Sequence, residues 1–178
     1  VVELVIIGAV SKNKKVNGSD GFPWSIPEHR GRVESLISKS PIVLMGRKTF
    51  EQCGPWEQCL NIVISKETRF QSVRDRFFVT SNPINAKKLA FTVANSLGHP
   101  RVFLLGGPSL WDTFLPAAST LMMHQMSFDT DGSIDLPEFS EDIKEFESAG
   151  TEMTTLGDDA SGAWVTLRRT TRTKMLRI

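Results

Sequence analysis

From Val2 to Val10 the chain is apolar at every position except Glu3 and Gly8. A strand with one wet face alternates apolar and polar side chains, so an unbroken run of this kind needs cover on both faces. That places it at the centre of a sheet with helices packed above and below, an α/β architecture. The rest of the chain repeats the theme. Pro41–Met45, Leu60–Ser65 and Arg101–Leu105 are further apolar runs, and each stops at a small or hydroxyl-bearing residue or a glycine turn. Between them lie helical patterns. Pro27–Ser38 carries Val33, Leu36 and Ile37 at spacings of three and four, and Asn85–Leu97 carries Ala86, Leu89, Ala90, Val93, Ala94 and Leu97 on one stripe. Leu121–Phe128 reads as another strand. Glu145–Thr155 and Ala163–Thr171 read as an antiparallel pair turning at Asp158–Gly162.

Composition narrows what such a sheet serves. The 178 residues are 40% apolar and 23% charged, enough for one core, and residues 1–178 read as a single domain. A formal charge of +1 gives no general attraction for nucleic acid or a membrane surface, so neither is expected as a partner. Cys53 and Cys59 are too few for a disulfide scaffold or a four-ligand zinc site; free thiols and no metal are expected. The apolar opening run is far too short to cross a bilayer, and the expectation is a cytoplasmic monomer.

In open α/β sheets ligands bind at the carboxyl edge of the strands, and three signals gather there. Gly106-Gly107 follows an apolar run and permits close backbone approach, with helix N–H groups just beyond it. Gly46-Arg47-Lys48-Thr49 brings a helix start, two cations and a hydroxyl to one junction, a set suited to a phosphate ester. Ser65-Lys66 adds a hydroxyl and a cation at a third strand end. Diglycine turns and capped helices are common, so no one of these is diagnostic. Ser11–Trp24 is a long polar loop ending in Phe22-Pro23-Trp24, and long ordered loops are commonly functional.

Taken in order, Ile7-Gly8-Ala9-Val10, Gly18, Phe22-Pro23-Trp24-Ser25-Ile26-Pro27, Val43 to Glu51, Asn61 to Ser65, Leu105-Gly106-Gly107 and Leu115-Pro116 resemble the dihydrofolate reductases. The resemblance covers residues 2 to 140 closely and the tail loosely. It implies a central mixed eight-stranded sheet flanked by helices, NADPH as hydride donor and a dihydropterin beside the nicotinamide. Ala9 and Val10 would present backbone to both ligands. Val16 to Gly18 and Phe22 would belong to the loop closing over the nicotinamide, with Trp24 behind the pocket. Gly46, Arg47, Lys48 and Thr49 would hold phosphates, Ser65 and Lys66 the adenosine side, and Gly106, Gly107, Pro108, Ser109 and Leu110 the pyrophosphate, across a cis diglycine peptide. Arg47 and Lys66 would favour NADPH over NADH, because the extra phosphate needs cations. Ile26, Val33, Leu105, Trp111 and His124 would surround the substrate.

The chain departs from that family on the substrate side. Where the family aims a carboxylate at the pterin, the ungapped position is His29, with Glu28 just before it. Two readings are open. A one-residue shift could turn Glu28 inward, which is the preferred one, or His29 faces the pocket as a proton donor. Cys59 replaces an arginine that clamps the folate carboxylate, leaving a cation such as Arg32 to hold the tail if there is one. Trp111 and His124 stand for the usual Tyr and Thr, and Val33 stands for an aromatic, which predicts a roomier pocket. The implied reaction is NADPH-dependent reduction of 7,8-dihydrofolate to tetrahydrofolate. The alternatives are a reductase of another heterocycle, resembling the pyrimidine reductases of riboflavin synthesis, and a non-catalytic nucleotide-binding homologue.

Overall fold

The structure is a computed structural model that describes residues 1–67 and 76–170. Its elements run β1 (Glu3–Val10), α1 (Pro27–Ile37), β2 (Ile42–Gly46), α2 (Arg47–Cys53), β3 (Leu60–Ile64), β4 (Phe77–Thr80), α3 (Pro83–Leu97), β5 (Arg101–Leu104), α4 (Pro108–Phe114), β6 (Thr120–Met126), β7 (Phe146–Leu156) and β8 (Ala160–Arg169). The strands form one eight-stranded sheet in the order β4-β3-β2-β5-β1-β6-β8-β7. Pairing is parallel from β4 to β6 and antiparallel for β6 with β8 and β8 with β7. The mixed sheet expected from the sequence is present, and β1 is central, between β5 and β6.

The unbroken apolar runs are explained by the two faces. Leu4, Ile6, Leu44, Ile62, Val102 and Leu104 point to one side, where they pack with Ala86, Ala90 and Ala94 of α3 and with Trp111 and Phe114 of α4. Val5, Ile7, Val43, Met45, Val63 and Phe103 point to the other, against Val33 and Ile37 of α1 and Cys53 of α2. Leu4, Leu44 and Leu104 are fully buried, and truncating any of them to Ala would cost about 2–5 kcal/mol. Helix α3 starts at Pro83, two residues before the expected Asn85. The Asn82 side chain accepts the Ile84 N–H at 2.9 Å and Pro83 supplies the first-turn φ, so the cap lies upstream of the apolar stripe.

Two elements differ from expectation. The short edge strand β4 was not anticipated: Phe77–Thr80 is only partly buried and pairs on one side alone, with β3. The turn between β7 and β8 is Gly157–Asp159 rather than Asp158–Gly162, because cross-strand pairing continues to Leu156↔Ala160. Thr171, the expected end of the last strand, lies outside the described residues. Because β1, β2, β3 and β5 are parallel, their carboxyl ends meet along a single edge, and the site is built there.

Candidate active site

A cavity of about 850 Å³ opens at this edge. Its floor is made where β2 and β5, neighbours in the sheet, each turn into a helix. The Gly46 N–H donates to the Gly106 carbonyl at 2.7 Å, and Leu105 N–H donates to Leu44 O at 2.9 Å, which ties the two turns together. The Gly106–Gly107 peptide is cis. Gly106 has φ +128°, and a Cβ there would stand 3.0 Å from Thr49 Oγ1, so conformation and space both demand glycine. Gly46 and Gly107 are the N-caps of α2 and α4, and neither helix start is capped by a side chain. In α4 Pro108 has no N–H and the Leu110 N–H donates to Gly107 O at 2.9 Å, so the helix dipole and the remaining first-turn N–H groups favour an anion there.

Around the two turns stand Arg47, Lys48, Thr49, Ser65 and Lys66, with Pro108, Ser109 and Leu110 opposite. Arg47 pairs with Glu51, Nε to Oε1 3.3 Å, and with Glu67, which keeps its guanidinium at the cavity wall. Ser65 Oγ accepts the Glu67 N–H at 3.1 Å, fixing the turn that carries Lys66.

The long loop after β1 closes the cavity from above and is braced by the segment after β6. Val16 N–H donates to Ile134 O at 3.0 Å, Ile134 N–H to Asn17 Oδ1 at 2.9 Å, and Ser19 N–H to Asp131 Oδ1 at 2.8 Å. Hydrogen bonds from Ser19 hold the Asp131 carboxyl below the usual carboxylate range. Val16 lines the cavity. Gly18 and Phe22 do not; Phe22 is fully buried against Phe128, ring centroids 6.0 Å apart, and anchors the loop from beneath. Asn17, Ser133 and Ile134 reach the cavity and were missed in the sequence, although a lone Ile134 in a polar stretch is a signal that it packs on something.

At the substrate end the structure brings Ala9, Trp24, Leu105 and Trp111 to the cavity wall. The Trp111 Nε1 is buried and has no partner. Val10 is buried in the core cluster that also holds Trp111 and does not line the cavity, and Ile26 is the N-cap of α1. The preferred inward turn of Glu28 is not met. Glu28 is exposed, while His29 is 1% exposed. The reason is helical spacing: His29, Val33 and Ile37 recur every four residues on the buried stripe of α1, and Glu28 is one step off it.

His29 and His124 lie behind the cavity wall rather than on it. Their Nδ1 atoms are 3.1 Å apart, and His29 meets Trp24 edge-on at 5.2 Å. Burial first, and the nearby His124 second, lower His29 to about 3. Burial lowers His124 to about 4, against an opposing pull from Glu28.

Val33 is fully buried and does not line the cavity, so the roomier pocket expected beside it is not seen there. Trp56, buried at 4% exposure, sits in the same cluster as Val33 and meets Trp24 edge-on at 5.7 Å, with Arg30 over its ring at 4.6 Å. Arg32 is committed to Glu152, Nη2 to Oε2 3.0 Å. Cys59 is buried, and burial raises its thiol pKa. Among the described residues no cluster of metal-ligating side chains is present.

These residues fit a phosphorylated dinucleotide. Two uncapped helix starts and three cations surround a glycine cradle that a Cβ would fill, and the far end is flat and aromatic. The cations and open N–H groups would hold the phosphates, and Ala9, Trp24 and Trp111 would border the nicotinamide.

Comparison with known proteins agrees with this geometry. Dihydrofolate reductase 1 of Haloarcula marismortui is 25% identical over 147 residues, spanning 76% of this chain and 79% of the relative. Dihydrofolate reductase of Bacillus subtilis is 28% identical over 136 residues, 76% of each chain. The fold is shared with dihydrofolate reductase from Enterococcus faecalis complexed with NADP(H) and RAB-propyl, at a TM-score of 0.72 and 19% identity over 94% of this chain and 96% of that one. The Dihydrofolate reductase family profile matches residues 3–169, which takes in the tail as well as the site, and the chain belongs to that family.

Proposed function

We infer that this chain reduces 7,8-dihydrofolate to tetrahydrofolate with NADPH as hydride donor. The observation that carries the reading is the pair of uncapped helix starts tied together by the Gly46–Gly106 hydrogen bond, beside Arg47, Lys48 and Lys66, on the floor of a cavity whose wall also includes Ala9, Trp24 and Trp111. When bound, the cofactor supplies the hydride. The protein's own part is to hold phosphates at the rim, exclude water beneath the braced loop and keep the two rings in register, which is where most of the rate comes from in a reaction of this kind. Arg47 and Lys66 select the additional phosphate of NADPH.

The test is consumption of NADPH by the purified chain with dihydrofolate. Turnover dependent on both compounds is expected, and NADPH binding with no dihydrofolate-dependent oxidation would overturn the reading.

One observation favours a second substrate. Among the described residues the buried polar and charged side chains include two histidines but no carboxylate, and Cys59 offers no charge for a folate tail. A heterocycle without a carboxylate tail, such as an aminopyrimidine of riboflavin synthesis, needs no such charge, and parallel assays with the two substrates separate the readings. We place the enzyme in the cytoplasm as a single-domain monomer. Among the described residues no helix is long and apolar enough to cross a membrane.

A further inference from the structure

The cation best placed to meet the extra phosphate of the cofactor already holds two carboxylates. Arg47 opens α2 at the end of β2, and β3 runs parallel beside β2 with Ile64 in register with Gly46. The chain leaving β3 therefore carries Ser65, Lys66 and Glu67 past Arg47. Ser65 Oγ accepts the Glu67 N–H at 3.1 Å and folds this stretch into a turn. From the turn the Glu67 carboxylate pairs with Arg47 Nη1. Glu51, one helical turn along α2, stands with its Oε1 3.3 Å from Arg47 Nε. All of these residues line the cavity, as does Lys48. The Glu67 side chain is 63% exposed and that of Arg47 29%, so their pair sits in solvent at the rim.

The fork of a guanidinium takes a carboxylate or a phosphate with the same N–H groups, so the two compete for it. An exposed ion pair is weak, and an arriving phosphate displaces its carboxylate. The displaced carboxylate does not leave. Glu67 stays tethered two residues from Ser65, and its negative charge opposes a dianion on the same corner. Glu51 is different in kind: it lies on the helix face of Arg47 itself and pairs along that helix, whereas Glu67 reaches in from the neighbouring strand end. A carboxylate beside a ribose also has a use when the phosphate is missing, because it accepts a hydrogen bond from the free 2′-hydroxyl. One side chain thus disfavours the phosphorylated dinucleotide and favours the other.

We propose that Glu67 is a specificity-determining residue, which competes with the 2′-phosphate of NADPH for Arg47 and accepts the 2′-hydroxyl of NADH. The proposal rests on the cofactor reading above and deepens it. Arg47, Lys48 and Lys66 set a preference for NADPH, and Glu67 narrows it. Selectivity is a difference between two affinities, and Glu67 acts on the two with opposite sign. The other role this geometry offers, a carboxylate that merely orients Arg47 for the phosphate, predicts the reverse: its removal would weaken NADPH.

The sign is read by fluorescence titration of the full chain and of Glu67→Gln, a change of nearly equal size on an exposed side chain. The variant should bind NADPH about fivefold more tightly, the upper end of what an exposed ion pair is worth. NADH should bind equally or more weakly, within about threefold, the loss expected for one exposed hydrogen bond. Adenosine 2′,5′-bisphosphate should gain as NADPH does, while adenosine 5′-monophosphate should not, which puts the effect at the 2′-phosphate. Glu57→Gln, which removes a carboxylate from a separate cavity, should leave all four affinities unchanged. NADPH binding that is unchanged or weaker in Glu67→Gln would overturn the proposal. So would an equal gain for NADH, or the same gain in Glu57→Gln. A wild type that binds neither dinucleotide would overturn the cofactor reading itself, and the shift in preference without dihydrofolate turnover would overturn only the choice of substrate.

Discussion

Acidification from about pH 7.5 to about pH 5 protonates an unfolded histidine, of ordinary pKa 6.5, but not His29, which burial and then His124 hold to about 3 in the folded chain. The unfolded state therefore binds more protons, and stability falls as pH falls. The contribution is whole above about 6.5 and is lost progressively between 6.5 and 3. At pH 5 the unfolded ring is 1.5 units below its pKa, which costs about 2 kcal/mol for His29. His124, lowered to about 4 with the pull of Glu28 included, is likewise neutral at pH 5 in the folded chain and adds about 2 kcal/mol. The pair thus removes about 4 kcal/mol. With a urea m-value of about 2 kcal/mol/M, this moves the unfolding midpoint down by about 2 M. The assay is urea unfolding of the wild type and of a His29→Gln, His124→Gln double variant at both pH values. Carboxylates common to the two proteins cancel in the comparison, so only the difference between their pH shifts counts. Equal shifts within about 0.5 M would refute the reasoning.

Other consequences are checked more simply. Gly106→Ala meets both the left-handed φ and Thr49 Oγ1 at 3.0 Å, so NADPH affinity should drop at least about tenfold and stability by about 1–3 kcal/mol, read by fluorescence titration and urea unfolding. Arg47→Ala should weaken NADPH about tenfold or more while changing NADH less, so the ratio of the two dissociation constants reports the phosphate contact. Cys53, raised to about 11 by burial, and Cys59, also buried and raised, should resist a thiol reagent at about pH 8 until urea unfolds the chain; rapid labelling of the native protein would contradict their packing.

The central sheet was legible because its strands are buried on both sides, and double burial writes an unbroken apolar run into the sequence. The cofactor rim was legible because strand-to-turn-to-helix junctions demand glycine at a fixed offset. What escaped depended on contacts between segments far apart in the chain. Edge strand β4 buries too little to leave a pattern. The orientation of His29 follows from where α1 begins, a one-residue question that composition does not answer. Trp56 joins the cluster that holds Val33 from a loop, and Thr154 meets His124 only because Gly162 intervenes without a side chain.

The measurement closest to the central claim is a binding titration of the purified chain with NADPH, NADH and adenosine 2′,5′-bisphosphate. The account predicts tight saturable binding of NADPH, weaker binding of NADH, and displacement of NADPH by the bisphosphate. NADPH bound no better than NADH, and unmoved by the bisphosphate, would contradict it.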